Sequence, residues 1–259
     1  MVKCLMKKYD FTSQPSILIQ GAMETETAYL ISRLAEAACV NIGNWEFYTG
    51  FLGSQNEPVI ISRTYQGMVN ASAATVLGIT SFAPKAVINQ GIAGGHDKRL
   101  HVGDLVIGER VVPMRAVMQS FLAEGEGISP LAFEPLALEI YDKKEKCTRK
   151  VFDFLCDEEL VASACRVKTT LKASRGVLGS ADEWNNQMDW IAVMRERYHT
   201  VAEDMESAAA AQLCRSFGIP FIGIRMISNS IVNGEEFDES TALEGQKFIE
   251  AYIEELCGF

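Results

Sequence analysis

Residues 201–229 leave this chain little freedom of fold. Val201-Ala-Glu-Asp-Met-Glu206 reads as a strand that delivers carboxylates to a turn, Ser207-Ala-Ala-Ala-Ala211 opens a helix of small residues, and Ile219-Pro-Phe-Ile-Gly-Ile-Arg-Met-Ile-Ser-Asn229 reads as a buried strand. A strand, a helix and a second strand apolar on both faces form the unit of an open α/β sheet, where ligands bind in the crevice at the carboxyl ends of strands. Asp204 and Glu206 stand at one such end and Arg225, Ser228 and Asn229 at the next, which points to a site for a polar, hydroxyl-rich small molecule. Met205, Ala209, Leu213 and Phe217, at i, i+4 intervals, are the expected buried stripe of the helix, and the alanines at 208–211 permit close packing on a sheet.

The alternation of strand and helix extends along the rest of the chain. Ser16-Ile-Leu-Ile-Gln20 is a short buried strand closed by Gly21, and helical spacing through Tyr29, Leu30, Leu34 and Ala37 predicts a helix over 24–40. Two β-rich runs within 45–63 flank Gly53-Ser-Gln-Asn56, a hairpin pattern. Further along, the pattern predicts a small-residue helix over 69–82, a buried strand over 86–90 closed by the glycine-rich turn 91–95, and a strand over 104–112. A helix near 157–167 and a strand over 176–180 follow. Thr241-Ala-Leu-Glu244 has capping-box spacing and starts a helix through Leu256, with Phe248, Tyr252 and Leu256 on one side and Ile249 and Ile253 adjacent. Residues 114–146 show little periodicity and read as a long connection or insertion. Without a repeat, low-complexity tract or linker, the 259 residues fit one domain, a three-layer and mostly parallel α/β fold.

Charge narrows the choice of partner. A formal net charge of −10 lacks the basic face that nucleic acid or an anionic membrane would need, so the expected partner is a neutral or cationic small molecule. No window reaches the roughly 18 apolar residues of a membrane span, and Met1-Val-Lys-Cys-Leu-Met-Lys-Lys lacks a signal-type apolar run. The seven cysteines (4, 39, 147, 156, 165, 214 and 257) are odd in number and show neither a CxxC pair nor Cys/His ligand spacing. They read as free thiols of a reduced, cytoplasmic protein. His96, His101 and His199 form no ligand cluster, with surface or core roles expected for all three. Neither a metal nor a cofactor is expected.

Several residues allow two readings. Glu24 and Glu26 start a helix where backbone amides and the dipole favour negative charge. They are ordinary helix-starting acids, or one of them faces a crevice and acts as general base on an ordered water. Asn89-Gln-Gly-Ile-Ala-Gly-Gly95 has neither the Lys-Ser/Thr of a P-loop nor the spacing of a dinucleotide fingerprint. It is a structural turn, or one that brings the backbone of Ile92, Ala93 and Gly94 close to a ligand. Trp184, in Ser180-Ala-Asp-Glu-Trp184-Asn-Asn186, is a half-buried loop anchor or a flat wall for a heterocyclic base. Glu206 caps the following helix or accepts two hydrogen bonds from neighbouring hydroxyls, as on a ribose. Arg225, a guanidinium inside an apolar strand, needs a partner, and Glu26 or Glu206 would serve while helping to position water.

Taken together, Gly21-Ala-Met-Glu-Thr-Glu26, Asn89-Gln-Gly-Ile-Ala-Gly-Gly95, Val102-Gly-Asp-Leu-Val106, Asp204-Met-Glu206 and Ile224-Arg-Met-Ile-Ser-Asn229 resemble the purine nucleoside phosphorylase and nucleosidase superfamily. The similar branch is that of the 5′-methylthioadenosine/S-adenosylhomocysteine nucleosidases, and the motifs keep its order from about residue 16 to the carboxy terminus, apart from 114–172. The resemblance implies a nucleoside phosphorylase-like α/β/α domain with a mixed central sheet, no cofactor, a place in methionine salvage, and a homodimer whose partner subunit helps close the site. It implies hydrolysis of the N-glycosidic bond of a purine nucleoside through an oxocarbenium-like ribosyl centre, with the departing base protonated or hydrogen-bonded at N7. Residue by residue, it implies that Glu26 activates water beside Arg225, that Met205 and Glu206 hold the ribose hydroxyls, that Trp184 stacks on the purine and that Asn229 meets its edge. Asp204, Ser228 and the backbone at Ile92, Ala93 and Gly94 complete the expected binding set.

Two positions depart from the family pattern. The usual Ile-Ser-Asp is Ile227-Ser-Asn229, and an amide cannot protonate N7, although it can pair with the N7/N6 edge of adenine. Because general acid catalysis contributes about 10²–10⁴-fold, a slow enzyme or a different purine, including the 6-oxopurine of a phosphorylase, stays open. The usual Gly-Ser-Ala-Gly-Gly has Ile92 in place of a serine that helps hold the water. No arginine of the Gly-Asp-Pro-x-Arg type stands near Gly21, which favours hydrolysis over phosphorolysis. A nucleoside-binding protein with weak turnover is the reading from another class. Residues 114–172 are the expected lid.

Overall fold

Residues 10–142 and 145–256 are described by the structure, a computed structural model; Cys4, Cys257 and the amino-terminal octapeptide lie outside them. The apolar run at the start becomes β1 (Ile17–Gly21), buried along its whole length, and a short turn leads into α1 (Glu24–Ser32). This helix stops eight residues short of the predicted end at 40, and Ala35–Ile42 forms β2, antiparallel to β3 (Trp45–Leu52). Nearly all of β2 is exposed, so the apolar stripe of a longer helix would have had no layer to bury against, whereas pairing with β3 satisfies the backbone. β4 (Glu57–Arg63) completes the predicted hairpin, with Gly53 and Asn56 at φ of 78° and 56° in its turn.

α2 (Met68–Phe82) ends where Ala83 adopts the left-handed conformation before Pro84. β5 (Ala86–Gly95) then corrects the sequence reading, because the predicted glycine turn 91–95 continues the strand. The bare glycines let neighbouring groups approach: a Cβ on Gly91 would run into Oε1 of Glu26. β6 (Leu105–Pro113) follows as expected. The unperiodic stretch holds β7 (Val117–Gln119) paired with β8 (Phe133–Pro135), and β9 (Leu138–Asp142) paired with β10 (Cys147–Val151). Strands of three to five residues are too short to show a period of two against their surroundings.

β11 (Phe154–Leu155) adds to the edge of β6. α3 (Glu158–Arg166) is capped by Asp157, whose carboxylate accepts from the N–H groups of Glu159 and Leu160. β12 (Ala173–Ser180), α4 (Met188–Tyr198) and β13 (Thr200–Asp204) follow, with Trp190, Ile191, Met194 and Tyr198 of α4 buried. Then come α5 (Ser207–Phe217), β14 (Phe221–Asn229) and α6 (Thr241–Leu256), the last with its predicted apolar side buried. α5 departs from its predicted stripe: the alanines at 208–211 and Cys214 are buried, Leu213 is half-buried and Phe217 is exposed. Its first half is enclosed by α2 and the sheet, whereas its last turn reaches the surface.

The central sheet has the order β11-β6-β12-β13-β5-β1-β4-β3-β2, and β14 pairs with both β5 and β6. It is mixed. β1 lies parallel to β4 and β5, and β14 parallel to β5, while β14 against β6 and β13 against β5 are antiparallel. Along β14, Gly223 faces Ser207 of α5 and Met226 faces Gly245 of α6, so the two helices cover opposite faces. α2 packs beside α5, and α1 and α3 beside α6, which gives the α/β/α layering. Among the described residues, no helix is long and apolar enough to cross a membrane, and Cys39, Cys147, Cys156, Cys165 and Cys214 are free thiols.

Candidate functional site

The carboxyl ends of β1, β5, β12, β13 and β14 open into one cavity of ≈ 270 Å³. Of the residues singled out in the sequence, Glu26, Ile92, Ala93, Gly94, Trp184, Asp204, Met205, Glu206, Ser228 and Asn229 line it. Arg225 does not reach the lining and lies behind it, 1% exposed. No described residue of 114–172 borders the cavity, so the predicted lid does not form its wall; Met23, Gln66, Phe237 and Glu239 contribute to it instead.

Glu26 is 4% exposed and held by backbone alone. Its Oε2 accepts the N–H groups of Ala22 at 2.6 Å and Met23 at 2.9 Å, and its Oε1 accepts the N–H of Ile92 at 2.8 Å. The contact with Met23, the N-cap of α1, makes Glu26 a helix-starting acid that also faces the cavity. Glu24 is exposed and is an ordinary first-turn acid. Burial raises the carboxyl of Glu26 above its ordinary range, against the opposing pull of the Ile92 and Met23 N–H groups and the Arg225 charge.

Arg225 corrects the predicted pairing. Its partner is Asp204, with Nε 3.0 Å from Oδ2, rather than Glu26 or Glu206. One terminal nitrogen donates to the carbonyls of Asn89 at 2.8 Å and Ile224 at 2.9 Å, and the other donates to Oδ1 of Asn89. Asp204 is fully engaged as well: Oδ1 accepts from the Ser180 hydroxyl and the N–H groups of Glu206 and Ser207, and Oδ2 from the Ser207 hydroxyl. Its carboxylate has no lone pair to spare for a ligand, although the residue borders the cavity.

That engagement frees Glu206. Asp204 and the Ser180 hydroxyl satisfy the first N–H groups of α5, so Glu206, at the N-cap position, makes no side-chain cap bond. Its carboxylate turns instead to the Gly67 N–H at 2.9 Å and its own neighbour Met205 N–H at 3.2 Å, beside the cavity. Burial, then the charges of Asp204 and Glu26, push its carboxyl from 4.5 up to about 8. The unfolded chain releases this proton near 4.5 while the folded protein keeps it, so stability falls as pH rises from 4.5 towards 8. The slope is up to about 1.4 kcal/mol per pH unit. Urea midpoints at pH 5 and pH 8 should show this decline, and Glu206→Gln should flatten it; an unchanged slope in the variant would assign it to other groups.

The other end of the cavity is built by β14 and the loop after β12. β14 pairs with β5 in step from Phe221 to Ile227 and then irregularly, Asn229 opposing Gly94, so that Ser228 is an extra residue and Asn229 is re-aimed. The Ser228 hydroxyl lies 3.1 Å from Oδ1 of Asn229 and 3.2 Å from the Ala93 carbonyl, and the Asn229 amide keeps its N–H₂ as a donor. Trp184 is 57% exposed, more than a loop anchor would be, and meets Phe237 edge to face at 5.1 Å. Phe237 carried no sequence signal, lying in a polar stretch without periodicity. Glu203, which lines the cavity beside Asn229, was readable as a third acid of the Val201–Glu206 run, but its facing depends on how β13 crosses β5. His96 is buried, whereas His101 and His199 are exposed. Among the described residues, no group of His, Cys, Asp and Glu is arranged to hold a metal ion.

The fold and this strand-end cavity define a class, that of the nucleoside phosphorylase-like α/β proteins. The sequence pattern of the phosphorylase superfamily matches residues 16–257, and the chain belongs to that superfamily. Its relatives include the 5′-methylthioadenosine/S-adenosylhomocysteine nucleosidase of Shewanella piezotolerans, 33% identical over 247 residues, which are 92% of this chain and 98% of that protein. The nucleosidase of the same name from Shewanella halifaxensis is 34% identical over 227 residues, 85% of this chain and 90% of the relative. The crystal structure of the Neisseria meningitidis 5′-methylthioadenosine/S-adenosylhomocysteine nucleosidase with methylthio-immucillin-A is similar at a TM-score of 0.75 and 26% identity, covering 94% of this chain and 100% of that one.

Proposed function

We propose that this protein is a purine nucleosidase that hydrolyses the N-glycosidic bond of 5′-methylthioadenosine, S-adenosylhomocysteine or a related nucleoside. The observation that carries the reading is Glu26, a buried carboxylate fixed by three backbone N–H groups at the edge of a cavity that Glu206 and Asn229 also line. Glu26 takes the proton of the attacking water, and Arg225 steadies the site through Asp204 and Asn89 rather than by touching the water. Glu206 and Met205 hold the ribose hydroxyls, the Asn229 amide donates to N7, and Trp184 covers the base. The names of the relatives support the same reading. We carry the rest of the expectation as proposals: one nucleoside phosphorylase-like domain, working in methionine salvage as a cytoplasmic homodimer without a cofactor.

Hydrolysis is favoured over phosphorolysis by charge. Among the described residues lining the cavity are six acids (Glu26, Glu183, Glu203, Asp204, Glu206 and Glu239) and no lysine or arginine; Glu206 keeps its proton up to about pH 8 and Asp204 is paired with Arg225, but the cavity offers no cation to hold a phosphate. Incubation with 5′-methylthioadenosine should therefore release adenine equally with and without phosphate. Release that requires phosphate would make it a phosphorylase, and tight binding of an intact nucleoside would make it a binding protein.

A further inference from the structure

Asn229 leaves the departing purine without an acid at that position, yet a carboxylate stands beside it. β13 crosses the end of β5 antiparallel, with Glu203 opposite Gly94 and Ala202 opposite Gly95, and this register turns Glu203 to the cavity. A Cβ on Gly94 would stand 3.5 Å from Cγ of Glu203 and 3.6 Å from Nδ2 of Asn229, so the two side chains share one wall. Oε1 of Glu203 accepts the N–H of Asn185 at 3.1 Å, which ties the carboxylate to the residue following Trp184. Its Oε2 lies 3.0 Å from Nε2 of His96, an imidazole 1% exposed.

The far side of that imidazole is also fixed, with Nδ1 2.9 Å from the Thr200 hydroxyl. The arrangement that serves both contacts has the proton on Nε2, towards Glu203, and the Thr200 hydroxyl donating to Nδ1. A buried imidazole whose labile proton faces a carboxylate at the cavity wall is a short proton relay. The helix-capping, structural ion-pair and Arg225 networks described above use neither residue.

We infer that Glu203, backed by His96, donates the proton to the departing purine that Asn229 cannot supply. The inference rests on the nucleosidase reading. At the start the pair carries one proton more than neutral His96 and ionised Glu203, shared between them. The C1′–N9 bond breaks with its electron pair passing to the purine, and the shared proton crosses the carboxylate to a purine ring nitrogen, leaving neutral His96 and ionised Glu203. Water adds to C1′ and gives its proton to Glu26, and exchange through solvent returns that proton to the pair.

The test compares two leaving groups in the 259-residue chain. Glu203→Gln keeps the shape and the Asn185 contact but carries no acidic proton, and should lower turnover of 5′-methylthioadenosine about 10²-fold. The same variant should leave cleavage of 4-nitrophenyl 5-methylthioriboside within about twofold, because a nitrophenolate departs without a proton. His96→Gln, a change at a positioning residue, should show the same split between substrates. Asn229→Asp in the Glu203→Gln background, which restores a carboxyl at 229, should recover about tenfold or more on the nucleoside. Full nucleoside turnover by Glu203→Gln, or equal losses on both substrates, would overturn the inference; absence of base release by the unaltered protein counts against the nucleosidase reading instead.

Discussion

Replacing Glu26 by glutamine is expected to slow base release by about 10²–10⁴-fold, the contribution of a positioned general base. The variant keeps the length of the side chain but removes its capacity to take a proton from water. It also points an amide N–H₂ at one of the backbone donors of Ala22, Met23 or Ile92, since all three face the carboxylate. That mismatch costs about 1–3 kcal/mol of stability, the penalty for a buried donor left unpaired. Single-turnover release of adenine measures the first effect and urea unfolding the second. A rate within a few-fold of the unaltered protein would remove Glu26 from the chemistry, whatever its effect on folding.

Asp204→Asn should produce the largest loss of stability, about 3–5 kcal/mol, because breaking a buried ion pair strands the remaining charge. Arg225 and Asp204 have side chains 1% exposed, and Asp204 additionally caps α5 and accepts from two serine hydroxyls. Against a typical total of about 5–15 kcal/mol, such a variant stands near the limit of folding. Circular dichroism of the urea transition would report the change as a lower midpoint at similar slope. A shift worth less than about 1 kcal/mol would mean that Arg225 keeps its charge compensated through Asn89 and the strand carbonyls alone.

The site was more legible in the sequence than the connections around it, for a physical reason. Residues on short buried strands announce both their facing and their end: the run before Gly21, the run before Gly91 and the run up to Asn229 each put their polar residues where the apolar stretch stops. Cavity residues at those ends could therefore be gathered from separate parts of the chain. Pairings across the sheet left no such trace. That Arg225 meets Asp204 rather than Glu26 follows from the register of β14 on β5 and from the turn after β13, neither of which periodicity contains. The same holds for Glu203, whose side is set by an antiparallel crossing.

Secondary structure failed where local preference and tertiary pairing disagreed. The spacing of Leu34 and Ala37 is helical, yet β3 presented an unpaired edge and residues 35–42 took it. At 91–95 the glycines looked like a turn because of their freedom, but in β5 they serve proximity rather than bending. α4 went unread because its buried face mixes Trp190, Ile191, Met194 and Tyr198 with charged neighbours, diluting the apolar signal.

Because main chain alone cradles the carboxylate of residue 26, its placement does not depend on which side chains surround it. Isoleucine at 92 still offers the same amide that any residue but proline would there, so the rim of the hollow can change without unmooring that carboxylate. Such a division between a fixed anchor and a replaceable rim makes the scaffold a ready starting point for altered selectivity.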